Sequence, residues 1–353
     1  MEAIPITLSE ITKDWVAAQL NTKNLTGIRL EPMGEGVGMM SAMAIVHLEW
    51  GDKTEGPNSI VIKLAASNET NRNVAKQFNL YLKEVSYYTE LAPMTLARSP
   101  KIYSADHDEQ HNFFLLMEDA SEYRMGSQVT GADLQESKMC LDFLATLHAS
   151  LWNKVDDIKW LPNMSKSENA KNMELGCSAG WPQLLEFFGE FVSGKIDSKK
   201  NDYLNSIASL QAKLDRAPRT FIHGDFRMDN MLFGQKPEHD PLMVVDFQGP
   251  LKGNGIYDVA YFLGHSAQTE VRQENEESLI REYSKRINKQ GITGYSFDQA
   301  WADYRIAILY AWTVAVVIAG TMDPANERGF AWMSKMVERN SRAIEDLKCL
   351  ELL

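Results

Sequence analysis

FIHGDFRMDNMLFGQKPEHDPLMVVDFQ, residues 221–248, alternates short apolar runs with polar turns. FIH, MLF and PLMVVDF are strand-sized, and the last has β-branched residues at its centre. The stretch therefore predicts strand, loop, strand, turn, strand. His223, Asp225, Asp229, Asn230 and Asp246 lie between these runs or at their ends. An unpaired carboxylate is expensive to bury, so such groups make sense facing a cleft that holds a cation. Two carboxylates and an amide oxygen are hard ligands, the set Mg²⁺ prefers when substrate phosphates complete its shell.

Asn230 follows Asp225 by five positions, and Asp246 opens the triplet D-F-Q. Phosphoryl-transfer enzymes of the kinase type use this order. An Asp takes the acceptor's hydroxyl proton, an Asn binds Mg²⁺, and the Asp of a D-F-G binds Mg²⁺. HGDFRMDN followed by a strand and DFQ resembles the aminoglycoside phosphotransferase and choline kinase superfamily. With GIYDVAYFL behind it, the stretch most resembles the ecdysteroid kinase-like branch. The resemblance extends from the glycine loop at Gly34 to about Leu263.

That resemblance implies an α/β, bilobal, protein-kinase-like fold. A small β-rich N-lobe would occupy residues 1–119 and a larger, mainly helical C-lobe residues 120–353. It implies transfer of the ATP γ-phosphate, with Mg²⁺ on Asn230 and Asp246, to a hydroxyl of a small molecule. Asp225 would orient that hydroxyl and accept its proton. Ecdysteroids, other hydroxylated lipophiles, choline and aminoglycosides are all acceptors it allows, and it selects none of them.

The 353 residues suit about two domains or one bilobal unit, and a 44% hydrophobic content is enough for a real core. With 36 Lys and Arg against 48 Asp and Glu, the net charge is −12. A nucleic-acid binder would carry a basic footprint instead. Cys140, Cys177 and Cys349 are widely spaced and odd in number, so no disulfide or metal framework follows and a reducing cytoplasm is the simplest setting. The N-terminal MEAIPITLSEITKDW lacks a basic segment followed by a long apolar run, so no signal peptide is expected. Ile306–Gly320 is the most apolar run. It is shorter than the roughly 18 residues of a membrane span, which predicts a buried helix.

Upstream, residues 7–20 predict an amphipathic helix with Ser9 as N-cap. Two strands then flank a loop containing Gly34, Gly36 and Gly38, where glycine lets backbone approach a ligand. Its spacing departs from G-x-G-x-x-G, and Glu35 is an odd neighbour for phosphates. Lys63 in V-I-K-L matches the strand lysine that reaches the α and β phosphates. A helix from about Asn71 to Leu91 follows, with Phe78, Leu82, Val85, Tyr88 and Leu91 at helical spacing. In the kinase arrangement a Glu on it pairs with the strand lysine. Glu84 is preferred over Glu69 and Glu90 for its mid-helix position and its KEVSYY context. The strand Phe113–Met117 ends at Glu118, and by resemblance the Met117–Glu118 backbone is the hinge that pairs with adenine.

Downstream, a helix containing LATLHASLW is expected, then a polar, irregular stretch over residues 153–180, then helices near 182–193 and 200–214. Helices fill the chain beyond DFQ. Arg227 has two readings, neutralising charge on the transferring phosphoryl or tethering the loop by a salt bridge. Asp229 is a turn cap. By resemblance His223 is structural and Asp258 braces the catalytic loop. Gln248 stands where protein kinases have Gly, which predicts a fixed loop. Trp181, Phe187, Phe188, Phe191, Tyr257, Tyr261 and Phe262 either line an acceptor pocket or, as aromatics at helical spacing usually do, form core. Rival readings are a hydroxyacyl-thioester kinase, a non-catalytic nucleotide-binding pseudokinase, and a Mg²⁺ hydrolase that would have no use for Lys63.

Overall fold

The computed structural model describes residues 3–33, 40–53, 55–322 and 327–353. The glycine-loop positions Gly34, Gly36 and Gly38 lie outside the described residues. After α1 (Lys13–Gln19) come β1 (Leu25–Pro32), β2 (Ser41–Trp50) and β3 (Ser59–Ala65). Then follow α2 (Glu69–Gln77), α3 (Leu80–Ser86), a wide helical turn at Tyr87–Leu91, β4 (Ile102–His107) and β5 (Phe113–Glu118). The five strands form one antiparallel sheet in the order β1-β2-β3-β5-β4.

Strand β3 is central, and its side chains alternate between faces. Ile60, Ile62 and Leu64 pack with Trp15 and Val16 of α1. Val61 and Ala65 join the larger core on the other face, with Tyr81 and Val85 of α3. Lys63 shares that second face by its position in the alternation. The period of two thus aims the one charged residue of the strand at α3.

Two local expectations change. The cap of α1 is Thr12, whose hydroxyl accepts the Trp15 N–H (3.2 Å), while Ser9 pairs with Thr7. The helix expected over residues 71–91 is broken at Asn79, a residue in the left-handed region at φ 51°. Asn tolerates that conformation because its short polar side chain bonds locally.

The rest of the chain is mainly helical. It comprises β6 (Arg124–Met125), α4 (Leu134–Ser150), α5 (Glu168–Phe188), α6 (Gly194–Ser198) and α7 (Lys200–Leu214). Then come β7 (Thr220–Ile222), β8 (Met231–Phe233), β9 (Leu242–Val244), β10 (Leu251–Gly253), α8 (Ile256–His265), α9 (Thr269–Lys289), α10 (Phe297–Thr321) and α11 (Glu327–Asp346). Strand β8 sits between β6 and β9, and β7 pairs with β10.

Part of the stretch expected to be irregular is helix. α5 begins at Glu168, with Ser167 capping the Ala170 N–H. Its buried residues Cys177, Trp181, Leu184 and Phe188 recur at three to four positions, and its polar residues fill the other face. α5 crosses α10 where two glycines meet. A Cβ on Gly320 would lie 2.3 Å from the Gly180 Cα, so only glycine allows this approach. α10 is long and apolar enough to cross a membrane, but 67% of its most apolar stretch is buried inside the protein.

Candidate active site

The strand–loop–strand unit at residues 220–233 builds the floor of the site. β7 delivers His223 and Gly224, whose backbone N–H groups both donate to the Asp258 carboxylate of α8 (2.7 and 3.0 Å). Asp258 is wholly buried and also bonds His148 Nε2 of α4 (3.2 Å). One carboxylate therefore satisfies the end of a strand, the turn after it and a helix at once. Gly224 sits at φ +83°, and a Cβ there would lie 2.0 Å from the Gly249 carbonyl oxygen. No other residue fits between the HGD loop and the DFQ loop.

Asp225 follows, with its side chain about a third exposed (34%). Its Oδ1 accepts the Tyr261 hydroxyl (2.8 Å), and its Oδ2 accepts Arg227 Nε (3.2 Å) and Asn230 Nδ2 (3.2 Å). Burial pushes the Asp225 carboxyl up. The Arg227 guanidinium and the donors around it outweigh that, and hold it below the usual carboxylate range.

Asn230 spends its amide nitrogen on Asp225, also donating to the Asp225 carbonyl (2.9 Å). Among the described residues its amide oxygen has no hydrogen-bond partner, which leaves it open to a ligand. The Asn230 backbone carbonyl accepts the Val245 N–H (3.1 Å), so Asn230 is tied to the residue before Asp246. Asp246 adopts φ 68°, a left-handed conformation found in single residues at functional sites.

Lys63 Nζ donates to Glu84 Oε1 (2.7 Å) and to Asp246 Oδ1 (3.0 Å). Its side chain is 6% exposed and that of Glu84 is 1% exposed. Burial disfavours the Lys63 charge, but Asp246 and Glu84 more than offset this and raise its pKa. Glu84 is placed by α3, which Tyr81 fixes. The Tyr81 hydroxyl donates to the Met40 carbonyl (2.9 Å), accepts the Ala66 N–H (3.0 Å), and its ring stacks on Phe113. The alternatives lie elsewhere: Glu69 opens the exposed start of α2, and Glu90 accepts the Trp160 indole N–H (2.9 Å).

The structure therefore forms two hydrogen-bonded sets, Lys63 with Glu84 and Asp246, and Asp225 with Asn230, joined through the Val245 N–H on the Asn230 carbonyl. Met117 is buried at the end of β5. Glu118 gives its N–H to the Lys101 carbonyl (2.8 Å) and its carboxylate to Arg98 (2.6 Å) and the Lys101 N–H (2.9 Å). Its backbone donor and side chain are thus committed to the sheet edge.

Arg227 bridges Asp225 and Asp229 (3.2 and 3.3 Å) and lies over the Trp332 ring of α11 at 4.9 Å. Asp229 does more than cap a turn. Its Oδ1 accepts the N–H of Gln128 (2.9 Å), 101 residues earlier in the chain. Buried Gln128 in turn accepts the Met228 N–H (3.1 Å) and holds the loop from the other side. No local sequence signal marks Gln128, because its partners are distant in sequence.

Of the aromatic residues, Trp181, Phe188, Tyr257 and Phe262 are buried core, and Phe187 is half exposed (41%). Tyr261 is buried too, but its hydroxyl reaches Asp225. Gln248, beyond Asp246 and Phe247, donates Nε2 to the second Glu84 oxygen (2.8 Å).

The donor set fits Mg²⁺ bound together with a nucleotide. Asn230 offers an amide oxygen, Asp246 a half-buried carboxylate, and phosphate oxygens would complete the shell. Among the described residues no cluster of three or more His, Cys, Asp or Glu could hold a metal by itself.

A model of the ecdysteroid kinase-like family matches residues 35–291. No curated protein sequence is significantly similar. Choline kinase from Cryptosporidium parvum Iowa II aligns over 96% of this chain and 98% of its own, at 10% identity and a TM-score of 0.57. The GDP complex of wild-type aminoglycoside 2′-phosphotransferase-IIIa aligns over 92% of this chain and 96% of its own, at 14% identity and a TM-score of 0.56. At these identities the likeness is one of fold. It is the kinase-like fold of an antiparallel N-terminal sheet and a helical C-terminal region.

Proposed function

The chain belongs to the ecdysteroid kinase-like family, and on that premise we propose that it transfers the γ-phosphate of ATP, with Mg²⁺, to a hydroxyl of a small molecule. The observation that carries this reading is the buried Lys63–Glu84–Asp246 set, tied by the Val245 N–H on the Asn230 carbonyl to the Asn230–Asp225 pair. A hydrolase would need the carboxylates but not a buried lysine at their edge.

Each residue has a role that its contacts support. Lys63, held by Glu84, neutralises nucleotide phosphate charge. Asn230 and Asp246 would hold Mg²⁺, which would supply positive charge to offset that developing during transfer. Asp225 orients the acceptor hydroxyl and takes its proton late in transfer. A depressed carboxyl suits that task, because positioning matters more than base strength in a loose transition state. Arg227 sits beside Asp225, where it can neutralise charge on the transferring group. Its contact with the Trp332 ring helps to hold the guanidinium in place beside Asp225.

Thermal unfolding with and without ATP and Mg²⁺ tests the reading, together with ADP release from pooled hydroxylated metabolites. Stabilisation by ATP that requires Mg²⁺, with acceptor-dependent ADP release abolished by Asp225→Asn, is the expected result. Metal-independent stabilisation without turnover would mean a nucleotide-binding pseudokinase. Phosphate release in the absence of any acceptor would mean a hydrolase.

A further inference from the structure

The residues of the D-F-Q triplet each contact the sheet-and-α3 region in turn. Asp246 accepts Lys63 Nζ (3.0 Å). The Phe247 ring stacks on Tyr87, which directly follows α3, with centroids 3.6 Å apart and planes 8° apart. Gln248 donates Nε2 to Glu84 Oε2 (2.8 Å). Gln248 is 7% exposed and Glu84 1% exposed, so neither side chain has water as a ready alternative partner.

We propose that Gln248 is a positioning residue for nucleotide binding, latching the second carboxylate oxygen of Glu84 so that the first stays on Lys63. The inference rests on the kinase reading and adds to it a specific device for keeping the site assembled. The physical reason lies in the two oxygens of one carboxylate. Lys63 occupies Oε1 and Gln248 occupies Oε2, so the carboxylate plane is set from both sides. Without the amide donor, Oε2 is a buried acceptor with no partner, and the carboxylate can relieve this by rotating. Rotation moves Oε1 off Lys63 and leaves Asp246 as the remaining partner of the lysine. Lys63 would then lean toward the carboxylate proposed to hold metal and away from the phosphates. A glycine at this position could not form the latch, since it has no donor side chain.

The test uses the full chain with Mg²⁺ and a non-hydrolysable ATP analogue, titrated by calorimetry, and steady-state kinetics on any acceptor found. Gln248→Met keeps the bulk and removes the donor. It is expected to raise the analogue's Kd about tenfold, with KM for ATP rising more than kcat falls. Gln248→Asn and Glu84→Gln are made alongside it, together with the double variant Gln248→Met/Glu84→Gln. If Gln248 acts through Glu84, its substitution adds almost nothing once Glu84 is changed. Equal, fully additive losses in the two backgrounds would overturn the latch while leaving the kinase reading intact. So would a Gln248→Met protein that binds as tightly as wild type. Failure of the wild-type chain to bind the analogue at all would overturn the kinase reading and the latch with it. If Gln248→Met does not fold, the comparison of Gln248→Asn with wild type and Glu84→Gln decides the same question.

Discussion

The hydroxyl of Tyr261 donates to Asp225 Oδ1 across 2.8 Å, from the same helix that carries Asp258 beneath the loop. One face of α8 thus holds both the backbone of the HGD loop and the carboxylate at its tip. Tyr261 itself is buried, and burial raises its pKa well above that of a free phenol, so it stays a donor.

Tyr261→Phe is therefore expected to lower kcat about tenfold with little change in nucleotide affinity, because a hydrogen bond to a charged group is lost. The Asp225 carboxyl, held low partly by this donor, should rise. The acid limb of the kcat–pH profile should shift to higher pH. An unshifted limb would show that Asp225 is not the group being titrated.

Asp246→Asn removes the carboxylate proposed to hold metal while keeping an oxygen that Lys63 can reach. The Mg²⁺-dependent part of ATP-induced thermal stabilisation should disappear. At a ligand concentration of about 100 Kd that part corresponds to about 2.7 kcal/mol. Retention of full metal dependence would move the metal off Asp246.

Asp258→Ala leaves two backbone N–H groups and His148 Nε2 without their buried acceptor. A loss of about 3–5 kcal/mol in unfolding free energy is expected, read from urea denaturation. A loss of less than about 1 kcal/mol would mean that the loop is held chiefly by Gln128 and Asp229.

Gly320→Ala places a methyl against the Gly180 backbone, where the ideal Cβ position leaves only 2.3 Å. α5 and α10 must move apart, at an expected cost of about 1–3 kcal/mol in denaturation experiments. Because neither glycine supplies a side chain to the site, kcat of the folded variant should be near that of wild type.

The chemistry-bearing residues were legible because their order is local. Asp225 and Asn230 share one loop, and Asp246 stands just past β9, the second strand after it. Lys63 was legible from the V-I-K-L match to a strand lysine, and Glu84 from its mid-helix position and KEVSYY context. The aromatic residues were ambiguous, because the same spacing serves a core position such as Phe188 and a site position such as Tyr261. The helical start of α5 was hidden by its polar solvent face, and the break at Asn79 by an otherwise continuous apolar period.

By itself, then, the sequence determined the element types around the HGD and DFQ motifs and the kind of ligand their oxygens suit. These depend on short-range periodicity and on side-chain chemistry. Only the tertiary structure decided which distant side chains complete the site. Gln248 on Glu84, Tyr261 on Asp225, and Gln128 on Asp229 each join residues 36 to 164 positions apart. Such pairs form because burial leaves each polar atom without water, and the fold alone determines which partner is within reach.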